Sequence, residues 1–137
     1  MFLESTVEQR ISQWREFREN LSQSDSPLQD VVDLWRTAPR IDRHLDPWQS
    51  QRWPTPWELL EENRFCPVSM PLMMGYTLKL STHFSDKDIL IKTFIDHSSQ
   101  RYYTCIIIDD KVLNYTDRVC SVDELPSSLI CQYSKAL

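Results

Sequence analysis

The sequence predicts an α+β fold: N-terminal helices and a Pro/Trp-rich strap, then one buried helix covering a three-stranded antiparallel meander. Three observations predict it. Apolar residues recur at three- and four-residue steps in the first third of the chain. Short β-branched and aromatic runs separated by turn residues dominate the last third. Between them lies a stretch, 68–80, that is apolar nearly all round, as a helix buried on most sides must be. A chain of 137 residues, 41% of them apolar, is long enough to bury such a core.

Residues 5–22 read as an amphipathic helix. Ser5 and Glu8 have capping-box spacing, and Val7, Ile11, Trp14, Phe17 and Leu21 recur on one face. Such a helix either packs on its own core or docks on a partner. We therefore divide the chain into this helix (1–25), as a possible docking element, and one α+β domain (26–137). A second helix starts at Ser26 as N-cap, with Pro27 at N1 and Gln29 completing a capping box, and stops before Pro39. In 39–57, Pro39, Pro47, Pro54 and Pro56 are interleaved with Trp48, Trp53 and Trp57. Proline fixes φ and removes donors, so this stretch is expected to be an irregular, stiff strap. Its indoles would be pegs in the core or, alternatively, an exposed aromatic patch for a partner.

Thr55-Pro56-Trp57-Glu58 opens a third, short helix with N-cap, N1 proline and an acidic N3 residue. Strands are expected at 89–95, 102–108 and 112–116, joined by turns at 96–100 and 109–110. The tail, 122–137, carries no decisive pattern.

Several function classes are excluded by composition. The chain has a single glycine, Gly75, so no Walker loop, dinucleotide fingerprint or nucleophile elbow can be written. A net charge of −5 argues against nucleic-acid binding. The nearest basic cluster, Arg36, Arg40 and Arg43, is interleaved with Asp33 and Asp42. No apolar run is long enough to span a membrane. The cysteines, Cys66, Cys105, Cys120 and Cys131, lack zinc spacing and are expected to be free thiols in a reducing compartment. Neither a metal nor a cofactor is expected.

Cys66 is the best catalytic candidate. It stands just before the apolar helix, where aligned N–H groups favour a thiolate. A cysteine at a helix start followed by an antiparallel sheet resembles the order of papain-like and transglutaminase-like enzymes over residues 64–117. In that pattern a histidine opens the strand after the first hairpin and an Asp or Asn lies on the next strand. Here those positions hold Tyr102 or Tyr103, and Asn114. A phenol is a poor base for a thiol at neutral pH. His97, in the turn before the strand, is the substitute that would complete a Cys66–His97–Asn114 site. His44 and His83 lie in other polar stretches.

A second resemblance rests on Asp46-Pro47-Trp48, Trp53-Pro54-Thr55-Pro56-Trp57-Glu58, Met73-Met74-Gly75-Tyr76-Thr77 and Ile107-Ile108-Asp109-Asp110-Lys111. These segments resemble a Trp-Pro-x-Pro-Trp pattern in small uncharacterised proteins of tailed phages. That resemblance implies a non-catalytic virion structural or assembly protein, in the particle and in host cytoplasm during assembly, and not an enzyme. Its partners would be other virion proteins or further copies of itself. Trp14, Phe17, Trp48 and Trp53 would be the anchoring side chains. The alternatives are a cysteine hydrolase or transferase using Cys66, and a phage-encoded modulator of a host protein.

Overall fold

The computed structural model describes Phe2, residues 5–42 and residues 45–137. Its elements are helices α1 (Val7–Asn20), α2 (Pro27–Arg36), α3 (Pro56–Glu62) and α4 (Ser69–Lys79), then strands β1 (Ile89–Asp96), β2 (Arg101–Ile108), β3 (Lys111–Leu113), β4 (Cys120–Ser121) and β5 (Leu129–Ala136). The fold is α+β as expected, with helices packed on an antiparallel sheet.

Helix starts follow local capping chemistry. α1 is capped by Thr6, one residue later than expected: its hydroxyl accepts from the Gln9 amide, and the Gln9 side chain accepts from the Thr6 amide. α3 starts as expected, with Thr55 and Glu58 closing a capping box around Pro56. α2 begins at Pro27, but the box at Ser26 does not form. Gln29 instead reaches across to the Asp117 carbonyl and the Val119 amide, tying α2 to the loop after β3.

α4 is the central helix. From Ser69 to Gly75 every residue is buried, and Leu72, Met73, Met74 and Leu78 are fully so. It lies close enough to the sheet that a Cβ at Gly75 would collide with the side chains of Leu137 and Ile106. The lone glycine is thus a close-approach residue. Helix and sheet share one core with Trp14, Trp35, Phe65, Ile89, Ile91, Ile106 and Ile108.

The sheet has five strands, not three, in the order β4-β3-β2-β1-β5, with every pairing antiparallel. The predicted meander is its centre. β3 is shorter than expected; the unassigned tail supplies the outer strand β5, and Cys120–Ser121, just before it, supplies β4 at the other edge. β5 pairs along β1 from Leu90–Ala136 to Asp96–Leu129, with a bulge at Thr93/Phe94. β2 is buried on both faces: Cys105 and Ile107 join a second, smaller core with Phe94 and Val112 on the side away from α4.

The strap is irregular, as its prolines require, but its tryptophans are not fully buried pegs; Trp53 packs on the core only in part. Trp48 and Trp57 are 43% and 45% exposed. Trp53 is half-buried and donates its indole N–H to the Asp46 carbonyl. What holds the strap is backbone. The Phe65 amide donates to the Pro39 carbonyl, and the Ile41 amide to the Phe65 carbonyl. The strap is thereby pinned beside the residue preceding Cys66.

Candidate active site

Cys66 caps the turn that leads into α4. Its carbonyl accepts from the Met70 amide at 3.0 Å. Its Sγ accepts from the Ser69 amide at 3.3 Å, while Ser69 Oγ accepts from the Cys66 amide at 2.8 Å. This is a capping box in which a thiol replaces the usual hydroxyl. The strap adds a third contact, from the Leu45 amide to Cys66 Sγ at 3.3 Å. Two backbone N–H groups and the head of the helix therefore converge on one sulfur.

Cys66 is only 3% exposed, but it lines two cavities. The larger, about 670 Å³, also has Tyr102, Tyr103 and Thr104 of β2, Asn114 after β3 and Arg36 at the end of α2 on its walls. The sheet register brings this about: β2 runs back from the hairpin so that Tyr102 pairs with Ile95, and β3 returns beside it. Asn114, in the left-handed region at φ 76°, donates from Nδ2 to the Thr104 carbonyl and accepts at Oδ1 from Arg36. Cys66 and Asn114 thus share one cleft.

His97 is not placed in that cleft. It is exposed in the β1–β2 turn, and its amide donates to the Ser128 carbonyl, on the β5 side of the sheet, whereas Asn114 follows β3 on the opposite side of β2. His83 is exposed and stacks edge-on against Phe84. His44 lies outside the described residues. Where the pattern calls for a base, the cleft presents Tyr102 and Tyr103; Tyr103 packs on Tyr115 with ring centroids 5.1 Å apart.

The other thiols have different surroundings. Burial pushes the Cys105 thiol up to about 12, with Cys120 adding to the rise. Cys120 is raised as well, by burial and then by Glu124. Cys131 is exposed. All four are free.

The expected partner anchors are distributed differently. Trp14 is fully buried and donates its indole N–H to Thr77 Oγ1, so it packs inside rather than facing a partner. Phe17 and Trp53 are half-buried against the core. Trp48 is at the surface, edge-on to Tyr102 and near Tyr133. It forms one wall of an apolar pocket of about 410 Å³ with Pro47, Pro67, Val68 and Tyr102.

Sequence reasoning missed the cations of the cleft. Arg36 and Arg40 were visible in a basic cluster with Arg43, but its interleaving with Asp33 and Asp42 was read only as evidence against nucleic-acid binding. Arg101 joins them only through the sheet register.

No described helix is long and apolar enough to cross a membrane. Among the described residues no group of three or more His, Cys, Asp or Glu side chains is placed to hold a metal ion.

No family model matches the chain, and no curated protein matches it. Solved structures do. Legionella pneumophila LapG superposes with a TM-score of 0.74 at 13% identity, over 94% of this chain and 75% of that one. Its calcium-bound form gives 0.75 at 13%, over 96% and 77%. The EGTA-treated form gives 0.73 at 13%, over 94% and 73%. LapG is a bacterial cysteine protease of papain/transglutaminase-like fold, and the resemblance of the core order to that fold stands. The resemblance to tailed-phage proteins has no support from these neighbours. The expectations of a non-catalytic virion part, and of a chain that is not an enzyme, are contradicted by the same likeness.

Proposed function

We propose that this chain is a cysteine hydrolase or acyl transferase with Cys66 as its nucleophile. The observation that carries the reading is the sulfur's position: at the head of the central helix, under two backbone N–H donors, on the wall of a cleft shared with Asn114. The likeness in fold to a cysteine protease supports it. The thiolate adds to a carbonyl carbon and forms an S–C bond. Collapse of the adduct breaks the bond to the amine or alcohol, which leaves with a proton from water. Water then takes the acyl group in a hydrolase, or an amine takes it in a transferase, and the thiol is restored.

Among the described residues no histidine lines the cleft to receive the thiol proton. In this reading the proton passes to water, and the helix terminus and strap amide hold the resulting anion. A cysteine tolerates this better than a serine would, because its thiolate is appreciably populated near neutral pH and is intrinsically nucleophilic. Asn114 is a positioning residue: it joins Arg36 to the β2 backbone and so fixes the wall facing the sulfur.

The test is competitive alkylation with iodoacetamide at pH 7, read by peptide mass spectrometry. Cys66 is expected to react faster than the exposed Cys131, despite its burial. Equal or slower labelling of Cys66 ends the reading. Cys66→Ser is the appropriate inactive control, because a serine hydroxyl can keep both halves of the cap with Ser69. Its urea midpoint should lie close to that of the parent. Cys66→Ala removes the acceptor and should cost about 1 kcal/mol, the usual cost of losing an N-cap.

A further inference from the structure

The cleft beside Cys66 carries a charge pattern opposite to that of the chain. The protein as a whole has a net charge of −5. Yet Arg36, Arg40 and Arg101 line this one cavity, against a single carboxylate, Asp42. Among the described residues none of the three arginines has a carboxylate within ion-pair distance, and the one ion pair is Lys87–Asp109, elsewhere. Arg40 donates to the Arg36 carbonyl, and Arg36 spends Nη2 on Asn114. Arg36 Nε is buried without an acceptor. Burial and then the neighbouring Arg40 push the Arg36 guanidinium down from its usual range. Arg40 and Arg101 are exposed, but a buried guanidinium N–H without an acceptor, as at Arg36, is costly unless an anion completes it.

We infer that this cavity is an anion subsite, taking a carboxylate of the substrate against Arg36, Arg40 and Arg101. The preferred acyl substrate is then a peptide with an acidic side chain beside the bond that Cys66 attacks. This rests on the reading of Cys66 as the nucleophile. The pocket beneath Trp48 shares Pro67, Tyr102 and Thr104 with the cationic cavity, so Tyr102 stands between an apolar and a cationic recess. An acidic residue is held on one side of Tyr102, and an apolar neighbour fits on the other.

Two alkylating reagents of almost equal size test the charge. Iodoacetate is anionic and iodoacetamide is neutral, and both transfer a two-carbon unit to sulfur with loss of iodide. The iodoacetate-to-iodoacetamide rate ratio at Cys66 is expected to exceed that at Cys131 by about tenfold, the effect of one charge-assisted contact. The excess should shrink in Arg40→Gln and Arg101→Gln, and with added salt. Equal ratios at the two cysteines, with Cys66 still the faster thiol, would overturn the anion subsite and leave the nucleophile intact. A Cys66 inert to both reagents would overturn the nucleophile.

The subsite then stands or falls on a measurement that needs no thiol. Cys66→Ser is titrated with the α-amides of N-acetylglutamate and of N-acetylglutamine, so that the side-chain carboxylate is the sole charge in either probe, followed by amide NMR shifts at Tyr103 and Asn114. Saturable binding of the glutamate alone, weakened by Arg101→Gln, is the result expected. Equal binding of both, or of neither, overturns the proposal.

Discussion

Thr77 shows how much a single side chain can organise. Its Oγ1 accepts the indole N–H of Trp14 and that of Trp35, each at 2.9 Å, and donates to the Met73 carbonyl. That uses the full capacity of a hydroxyl, one donor and two acceptor sites. All three residues are fully buried, so α1, α2 and α4 meet at one oxygen atom. Thr77→Val keeps the shape and orphans two indole N–H groups. It should destabilise the fold by about 2–4 kcal/mol, a desolvation cost for each group. Thr77→Ser keeps the hydroxyl and should recover most of that loss; urea unfolding of the pair decides it. If valine and serine cost the same, packing rather than hydrogen bonding holds the three helices together. Nothing in the sequence marks Thr77, because its two partners are 63 and 42 residues away. Cys66 was legible for the opposite reason: it stands directly before the apolar helix, a local feature of the sequence, although its bonds with Ser69 were not read there.

At the scale of elements, what the chain specifies locally could be read, and what it specifies by pairing could not. α3 follows from Thr55, Pro56 and Glu58 alone. β1 and β2 follow from their alternation and the turn between them. β4 and β5 did not, since β5 is an edge strand whose residues are mostly exposed and leave no buried stripe in the sequence. The β1–β2 turn also contains the chain's clearest titrating group. Asp96 is buried, and its Oδ1 accepts from the Ser98 hydroxyl and amide at 2.7 and 2.9 Å. These bonds, the hydroxyl first, hold its carboxyl down at about 2. An unfolded aspartate titrates near pH 3.9. The unfolded chain therefore takes up this proton first as pH falls. The stabilising contribution is complete above about pH 4 and is lost as pH drops toward about 2. The difference in urea midpoint between the parent and Asp96→Asn should shrink across that window. A difference constant from pH 6 to 2 would mean that the turn does not depend on the ionised carboxyl.

The whole molecule is a helical layer closed onto a sheet that the end of the sequence completes. α4 approaches the sheet at Gly75, where Leu137 and Ile106 fill the space a side chain would need. Leu137 reaches that point because β5 runs antiparallel along the full length of β1, and the Leu137 amide donates to the Ile89 carbonyl. β5 thus has two tasks. It satisfies the outer edge of β1, and it delivers one apolar side chain to the core. The first matters more for solution behaviour, because β1 alternates Ile89, Ile91 and Thr93 inward and would otherwise present an unpaired, apolar-rich edge. Nearly all of β5's own side chains face solvent, and Lys135 lies on its ladder, a residue that discourages further strand addition. Ending the chain after Ser128 keeps the bond from His97 and removes β5 alone. The truncated protein should lose about 3–5 kcal/mol, from several ladder hydrogen bonds and the partly buried Leu129 and Leu137. It should also self-associate through the bared edge of β1. Urea unfolding with size-exclusion chromatography measures both. A truncated protein that stays monomeric with an unchanged midpoint would show that the four inner strands and the helical layer are self-sufficient. The geometry argues otherwise, since β1 would then be half-paired directly over the helix that carries Cys66.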